Sequence, residues 1–231
     1  MSVRAVPSLG TPRVHLGVTD STNERARELA AGGAPHGTLV SAAEQTAGRG
    51  RQGRTWTAPP SSAILCSLVI RDAPRLLPLA AGVAVAEVVG PEARVKWPND
   101  VLLDGRKLAG ILVEGRPQEG WAVLGIGLNV AVRAEEFPSE LQGAAGTMGL
   151  ERDAVEPTLK RLLERLERWL EASPDQVLEA LRSRDALAGR EVRWAGGAGR
   201  AAGIDGEGRL VVLADGGRTA LDAGEVHLVG A

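Results

Sequence analysis

The sequence predicts an α+β protein in two parts, a larger region of strands and helices over residues 1–188 and a small β-barrel over residues 189–231. In the first region, short apolar runs typical of buried strands are interspersed with segments of helical spacing. In the second, short strand patterns are separated by turns such as Asp205-Gly206 and Glu207-Gly208, as in small barrels. A chain of 231 residues is long enough to bury a core for both parts.

The elements of the first region follow from local patterns. A weakly alternating stretch at residues 14–18 predicts the first strand. Ser21 and Glu24 form a capping-box pattern, which predicts a helix over residues 24–31. The other predicted elements are strands at residues 38–42, 63–70, 94–97 and 121–130, a buried helix at residues 76–89, and a hairpin of residues 101–103 and 107–114 around the turn Asp104-Gly105.

An amphipathic helix is predicted after residue 153. Leu159, Leu162, Leu163 and Leu166 follow the i, i+3, i+4, i+7 spacing of one helix face, and Trp169 continues it, so this tryptophan is predicted to lie in the core. A second helix is predicted at residues 174–187. The five predicted strands of the barrel are residues 191–194, 201–204, 210–213, 218–221 and 226–229, with a turn at Asp215-Gly216-Gly217.

The composition excludes several classes of protein. A net charge of -2 with 44% hydrophobic and 24% charged residues is typical of a soluble globular protein and offers no bulk attraction to a polyanion. The single cysteine, Cys66, excludes a disulfide within the chain and is predicted to be a buried, inert thiol. Residues 1–9 lack the apolar core of a signal peptide and no run has membrane-spanning length, so we expect a cytoplasmic protein.

Lysine is unusually scarce. Of the 27 basic residues, 24 are Arg, and the lysines are Lys96, Lys107 and Lys160. Arginine therefore fills a positive surface position by default, and a lysine indicates that a compact point charge is required. Lys96 and Lys107 both lie in motifs that suggest chemistry.

The clearest motif is the Gly/Arg loop, residues 48–56, with the sequence GRGRQGRTW. Its glycines allow close approach of the backbone to a ligand, and Arg49, Arg51 and Arg54 offer planar groups that match phosphate or carboxylate oxygens. A flexible, solvated turn is the alternative. Trp56, at the end of the loop in a chain poor in aromatic residues, favours an anion-binding loop.

Two further motifs follow. In the segment Lys96-Trp97-Pro98-Asn99-Asp100 a predicted strand ends in a cation and a large apolar side chain; Asp100 could hold a metal or orient a base, or merely cap the turn. Lys107 begins an almost continuous apolar strand, either as a solvated end or as a cation directed into a pocket. The scarcity of lysine favours the pocket.

Five segments together resemble the biotin protein ligases, also called biotin–[acetyl-CoA-carboxylase] ligases. The segments occur in the order and approximate spacing of that family, and the resemblance covers about residues 14–231. They are Ser21-Thr22-Asn23, residues 48–56, residues 96–100, residues 107–114 and residues 125–130. The resemblance implies a class II synthetase-like catalytic domain with a mixed sheet and flanking helices over residues 1–188, which binds biotin and ATP, followed by an SH3-like barrel over residues 189–231.

The implied reaction has two steps: biotin and ATP give biotinyl-5'-AMP, and the biotinyl group then passes to a lysine of a biotin carboxyl carrier protein or domain. ATP and biotin are substrates, and Mg²⁺ accompanies the nucleotide. By resemblance, the catalytic residues are Lys107, Arg49 and Arg51. The biotin contacts are Ser21, Thr22, Asn23, Gln45, Arg49, Gly50, Arg51 and Lys107; the ATP contacts are Arg51, Arg54, Trp56, Lys96, Asn99, Asp100 and Asn129, with Asp100 as the candidate Mg²⁺ ligand.

Two departures from the family pattern qualify these expectations. Many relatives carry an N-terminal DNA-binding domain, whereas about 15 residues precede the first predicted strand, so DNA binding is not expected. Val229 stands where some members have a basic residue that reaches the nucleotide.

No membrane association is expected, and a homodimer is possible. The alternatives are a lipoate ligase or octanoyltransferase and, in a different class, a non-catalytic RNA-binding module that uses the loop arginines as phosphate contacts.

Overall fold

The computed structural model describes residues 9–214 and 216–229. Seven strands form one mixed sheet in the order β1-β2-β3-β7-β6-β5-β4. β1 and β2 are parallel, and the other neighbouring pairs are antiparallel. The strands are β1 (Arg13–Thr19), β2 (Leu39–Gln45), β3 (Ala63–Arg71), β4 (Arg94–Lys96), β5 (Asp100–Leu103), β6 (Arg106–Arg116) and β7 (Trp121–Asn129).

Helices cover both faces of this sheet. On one face, α1 (Thr22–Ala31) packs Ala26 and Ala30 against Val40, Val69 and Val123. On the other lie α2 (Leu77–Val89), α3 (Val155–Glu171) and α4 (Pro174–Ser183). α2 buries ten of its residues, because it lies between the sheet and α3. The amphipathic stripe of α3 is buried as predicted, including Trp169, whose place in the core is confirmed.

The C-terminal residues form a second sheet of five antiparallel strands in the order β11-β10-β9-β8-β12. Its strands are β8 (Glu191–Trp194), β9 (Gly197–Ile204), β10 (Leu210–Ala214), β11 (Gly217–Leu221) and β12 (His227–Leu228). The pairing of the described strands leaves this sheet open, so the closed, SH3-like barrel is not confirmed. Its apolar face shares a continuous core with α2 and α4 through residues such as Leu178, Ile204 and Leu210. The predicted domain boundary at residue 189 stays a prediction.

Several predicted boundaries differ from the structure. The second helix was predicted to reach residue 187 but ends at Ser183, because the following residues pair with the edge strand β4: Val95 N–H donates to the Arg184 carbonyl and Ala186 N–H donates to the Val95 carbonyl. β9 begins at Gly197, four residues before its predicted start, since pairing with β8 outweighs the weak strand preference of glycine.

The predicted hairpin is present. Asp104 and Gly105 connect β5 and β6 and both have positive φ angles, 50° and 76°, as the two-residue turn requires. Asp215 of the third predicted barrel turn and the first eight residues lie outside the described part of the chain. Among the described helices, none is both long enough and apolar enough to cross a membrane.

Candidate functional site

A cavity of about 240 Å³ lies between the start of α1, the Gly/Arg loop and strands β6 and β7. The structure brings most of the predicted site residues together around it. Those that line it are Ser21, Thr22, Asn23, Gln45, Arg49, Gly50, Arg51, Arg54, Trp56, Asn99, Lys107 and Asn129. Lys96 and Asp100 do not line the cavity. They face each other across β4 and β5, and Asp100 reaches the site through an ion pair with Lys107.

One end of the cavity, which we call the α1 end, is formed by Ser21, Thr22, Asn23, Gln45 and Ser67. The Thr22 backbone N–H donates to Gln45 Oε1 at 2.7 Å, and the Thr22 hydroxyl lies 3.0 Å from the same oxygen. Ser67 Oγ lies 2.6 Å from Asn23 Oδ1, to which it donates, and 2.8 Å from Thr22 Oγ1. Gln45 and Ser67 therefore hold Thr22 and Asn23 in position before any ligand binds.

Ser21 is the residue before the first turn of α1, but its side chain makes no capping hydrogen bond. Asp20 instead accepts from the Ser21 backbone N–H at 2.6 Å. That bond, aided by Arg25, lowers the pKa of the Asp20 carboxyl to about 2. The capping reading of the Ser21 and Glu24 pattern is therefore wrong, and Ser21 lines the cavity instead.

The Gly/Arg loop is a small, closed hairpin. Gly50 N–H donates to the Arg54 carbonyl at 2.6 Å and Trp56 N–H donates to the Gly48 carbonyl at 2.9 Å. Gln52, at its tip, has a φ of 56°. The cross-strand bonds place all three arginines along the opening of the cavity.

Trp56 returns from this hairpin onto the sheet. Its indole lies over Gly127 of β7, where a Cβ atom would stand 2.6 Å from Trp56 Nε1, so any side chain at this position would displace the ring. The Lys107 ammonium lies 5.8 Å from the centre of the Trp56 ring. Gly127 thus provides the space that the aromatic wall of the cavity occupies.

The opposite end, which we call the cation end, consists of Arg51, Arg54, Lys96 and Lys107 with the carboxylate of Asp100. Lys107 Nζ is 2.8 Å from Asp100 Oδ1. Arg51 Nη1 donates to Asn99 Oδ1 at 2.8 Å, and Arg54 forms an ion pair with Glu225 of the C-terminal sheet. The cation end therefore contains four positively charged side chains but contacts only two carboxylates among the described residues, Asp100 and Glu225.

The pKa values of two of these cations, Lys96 and Arg51, are lowered. Burial lowers the pKa of Lys96 below its ordinary value; Asp100 opposes this, and the neighbouring Lys107 and Arg54 lower it further. Burial likewise lowers the pKa of Arg51, opposed by Asp100 and reinforced by Arg54. Such a concentration of partly desolvated positive charge is favourable when an anion occupies the space between the cations.

Two buried polar atoms at the cavity lack a hydrogen-bond partner in the described part of the chain. They are Trp56 Nε1, a donor, and Asn129 Oδ1, an acceptor. The Asn129 amide is held in place because its Nδ2 donates to the Gly146 carbonyl at 2.9 Å. Buried polar atoms without partners are costly, so these two atoms indicate contacts that a ligand completes.

Other chemistry is absent from the described residues. No group of three or more His, Cys, Asp or Glu side chains is arranged to hold a metal by itself in residues 9–214 and 216–229. Cys66 is 1% exposed and burial raises the pKa of its thiol to about 12, so its prediction as a buried, inert thiol is confirmed.

Three residues that contact the predicted site residues were not predicted from the sequence: Ser67, Glu114 and Glu225. Ser67 is the only polar side chain in the apolar run at residues 63–70, and a lone buried hydroxyl signals a polar partner. Glu114 contacts both Arg49 and Asn23. Glu225 belongs to the C-terminal sheet region, and no local pattern indicates that it reaches the Gly/Arg loop.

Comparison with known proteins gives consistent matches. The model of the biotin/lipoate A/B protein ligase family matches residues 16–130. The chain is 39% identical over 233 residues to a biotin–[acetyl-CoA-carboxylase] ligase of Mycobacterium tuberculosis, with 91% of this chain and 86% of the relative covered. It is also similar to the crystal structure of a biotin protein ligase from Aquifex aeolicus in complex with biotin and ATP, with a TM-score of 0.79, 29% identity and coverage of 94% and 98%.

Some relatives are longer. The bifunctional ligase/repressor BirA of Bacillus spizizenii is 40% identical over 152 residues, but the match spans only 47% of that protein and 61% of this chain. The chain thus matches about half the length of these curated relatives. The Mycobacterium match, by contrast, extends over nearly all of both chains. From that match and the family model, the chain belongs to the biotin protein ligases of the biotin/lipoate A/B protein ligase family.

Proposed function

We propose that this protein is an ATP-dependent ligase that activates biotin as biotinyl-5'-AMP and transfers the biotinyl group to a lysine of a biotin carboxyl carrier protein or domain. In the first step, an oxygen of the biotin carboxylate attacks the α-phosphorus of ATP and pyrophosphate leaves. In the second, the neutral amine of the carrier lysine attacks the acyl carbon, AMP leaves with the electron pair of the broken C–O bond, and the amine nitrogen releases one proton to solvent.

One observation carries this proposal: a single cavity has an uncharged, hydrogen-bonded end and an end lined by three cations, Arg51, Arg54 and Lys107, with Lys96 close behind them. The reaction joins two anions, a carboxylate and a triphosphate, which repel each other in the absence of positive charge. Fixed cations at the reacting atoms offset that repulsion and stabilise the charge that develops at phosphorus. The cation end supplies this field through Arg51, Arg54 and Lys107, which line the cavity.

At the α1 end, we propose that Ser21, Thr22, Asn23 and Gln45 contact the polar ring of biotin. Hydrogen bonds hold Thr22 to Gln45 and Asn23 to Ser67, so little entropy of these side chains is lost when the substrate binds. Gly50 and the backbone near Arg49 cover the substrate from the loop. The carboxylate end of biotin then points toward Lys107 and Arg51.

We propose that the nucleotide base lies near Trp56 and Asn129. The unpartnered donor and acceptor of these residues suit a base that carries both kinds of polar group. Arg54, Lys96, Asn99 and the cations of the cavity face the phosphates. The cavity volume of about 240 Å³ is below the range of about 300–1,000 Å³ that is common for ligand pockets, and we propose that the Gly/Arg loop moves outward to admit both substrates.

Mg²⁺ enters as part of the MgATP substrate. Because the described residues offer no cage of several carboxylates, most of its ligands must be phosphate oxygens and water, as is usual for this ion. Asp100 is the carboxylate we propose beside it. Its Oδ1 is shared by Lys107 and Asn99.

The remaining expectations stay predictions: an SH3-like fold for the C-terminal sheet, a cytoplasmic location, a possible homodimer and the absence of DNA binding. A lipoate ligase is not favoured, because the relatives that cover most of the chain are biotin ligases. An RNA-binding module is not favoured either. Arg49 is already engaged by two carboxylates, and a net charge of -2 offers no bulk attraction to RNA.

The decisive experiment mixes the protein with labelled biotin, MgATP and a carrier domain. We expect label on one lysine of the carrier, and none when ATP is omitted or when that lysine is replaced by arginine. The absence of carrier labelling, together with the absence of biotin-dependent pyrophosphate release, would overturn the proposal. Pyrophosphate release without labelling of the carrier would retain the first step and reject the chosen acceptor.

A further inference from the structure

Glu114 is a half-buried carboxylate next to the cavity that no motif assigns to substrate. It lies on β6 at the end of the apolar run that begins after Lys107, and its side chain is 22% exposed. Both of its oxygens are engaged. Oε1 lies 2.9 Å from Arg49 Nη2, and Oε2 accepts from Asn23 Nδ2 at 2.9 Å.

Among the described residues, Arg54 pairs with one carboxylate, Glu225, whereas the contact with Glu114 gives a second carboxylate partner to Arg49. Its guanidinium binds Glu114 and also Glu24 of α1, at 3.0 Å. Two carboxylates therefore neutralise Arg49, whereas Arg51 has no ion pair among the described residues and donates to an amide oxygen. Arg49, the first arginine of the loop, thus connects the loop to α1 through Glu24 and to β6 through Glu114.

The contact with Asn23 fixes the orientation of an amide that lines the cavity. An ionised carboxylate only accepts hydrogen bonds, so the NH₂ group of Asn23 must face Glu114. The Asn23 carbonyl oxygen then faces Ser67, whose hydroxyl donates to it at 2.6 Å. Gly125 leaves room for this arrangement, because a Cβ there would stand 2.8 Å from Asn23 Cγ.

We infer that Glu114 is a positioning residue, which holds the Gly/Arg loop through Arg49 and orients the Asn23 amide toward the substrate. One carboxylate thereby links the mobile cover of the cavity to its fixed α1 end. This inference rests on the proposed function, because it assigns biotin to that end. It also revises the role expected of Arg49, whose side chain acts as a tether instead of binding the reacting anions.

Glu114→Gln tests the inference with almost no change in volume. Glutamine has one acceptor and one donor group where both neighbours, Arg49 and Asn23, are donors. With Asn23 in its present orientation, one contact is therefore lost whichever way the new amide turns; a turn of the Asn23 amide as well would restore the contacts but reverse the groups that Asn23 presents to the cavity. The matched control is Glu28→Gln, because Glu28 is exposed on α1 and, within residues 9–214 and 216–229, pairs with Arg25 alone.

Two readouts separate this inference from the proposed function. The first is the rate of tryptic cleavage within residues 49–54 of the ligand-free protein, followed by mass spectrometry. We expect it to rise about fivefold or more in Glu114→Gln and to be unchanged in Glu28→Gln, since local opening controls such cleavage. The second is the dissociation constant for biotin from calorimetry, which we expect to rise about tenfold in Glu114→Gln, as for a lost charge-assisted contact.

A cleavage rate or a biotin affinity within about twofold of the wild type would overturn the inference. If the wild type itself binds no biotin, the proposed function fails, and the positioning role with respect to biotin falls with it. The cleavage assay then still decides whether Glu114 holds the loop. Circular dichroism verifies folding. If Glu114→Gln is unfolded, Glu114→Asp, which keeps the charge but withdraws it by one methylene, enters the same assays under the same criteria.

A double variant, Asn23→Asp combined with Glu114→Gln, sharpens the test because it reverses the direction of the hydrogen bond between the two positions. The new amide at position 114 donates to the new carboxylate at position 23 and accepts from Arg49, while Ser67 still donates to that carboxylate. Every polar group of the network again has a partner. We expect the tryptic cleavage rate of this variant to return to within about twofold of the wild type, and persistence of the fast rate would contradict the inferred geometry.

Discussion

The two ends of the cavity differ in charge and in exposure to solvent. The α1 end is uncharged and buried: Ser21, Thr22, Asn23 and Ser67 are all less than 5% exposed, and the last three are hydrogen-bonded to one another. The cation end is more open, with 37% of the Lys107 side chain and 18% of the Asp100 side chain exposed. Burial, reinforced by neighbouring cations, lowers the pKa values of Lys96 and Arg51 at this end.

This difference implies that the α1 end contributes mainly to stability and the cation end mainly to the reaction. A satisfied network of neutral groups stabilises the fold with or without a ligand, whereas crowded cations are unfavourable until an anion arrives. Substitutions at the α1 end should therefore weaken folding and biotin affinity together. Substitutions at the cation end should impair the reaction while leaving the fold intact, or even making it more stable.

The largest effect is expected for Lys107→Ala. The substitution removes the lysine of the cavity lining, so we expect the rate of biotin-dependent pyrophosphate release to fall by about 10²–10³-fold, as for the loss of one transition-state donor. The melting temperature should change little. Lys160→Ala, on the exposed face of α3, serves as the control, and an unchanged rate in Lys107→Ala would remove this residue from the mechanism.

Arg51→Ala should have the next largest effect. Arg51 connects the loop to Asn99, so its loss should loosen the cover over the reactive anhydride. We expect the release of biotinyl-5'-AMP into solution to increase by about tenfold in a filtration assay. Arg190→Ala, an exposed arginine of the C-terminal region, should release it at the wild-type rate; equal release by both variants would contradict a covering role.

Ser67→Ala tests the α1 end of the cavity. Removal of the hydroxyl leaves Asn23 Oδ1 buried without its donor, which should lower the free energy of unfolding by about 1–3 kcal/mol in urea titrations. Biotin affinity should fall as well. Exposed Ser139, replaced in the same way, should change stability by less than about 0.5 kcal/mol. A Ser67→Ala variant as stable as the wild type would contradict the contrast drawn between the two ends.

The smallest effect is expected for Lys96→Met. Since burial lowers the pKa of Lys96, the native protein binds fewer protons there than the unfolded chain does between the lowered pKa and 10.5. The free energy of unfolding of the wild type therefore rises with pH across that interval, relative to the variant. We expect Lys96→Met to be at least as stable as the wild type at neutral pH.

Urea titrations near neutral pH and near pH 10 measure this difference, with Lys160→Met as the control. The advantage of Lys96→Met should shrink at the higher pH, because the wild-type lysine then loses its buried charge. A variant that is less stable than the wild type at neutral pH would show that the Lys96 charge contributes to folding.

Local patterns predicted most of the fold. The leucine stripe of α3 and the Asp104-Gly105 turn specify their structures through contacts with near neighbours in sequence. The end of α4 and the start of β9 depend on pairing with distant strands, which no local pattern encodes. For the same reason, sequence patterns did not reveal that the C-terminal strands pair as an open sheet.

The candidate site followed the same division. Segments with unusual composition, such as the Gly/Arg loop and the scarce Lys107, were found because their residue types stand out. Ser67, Glu114 and Glu225 were missed because each acts through a partner at least 44 positions away. Ordinary residues acquire such roles only through the three-dimensional fold.

The C-terminal sheet contacts the site at two points. Trp97 Nε1, in the segment that carries Lys96 and Asp100, donates to the Gly208 carbonyl at 3.0 Å, and Glu225 holds Arg54 of the loop. If the protein transfers biotin as we propose, substitutions that break either contact should slow labelling of the carrier, although Gly208 and Glu225 lie about 100 positions or more from the segments that they support.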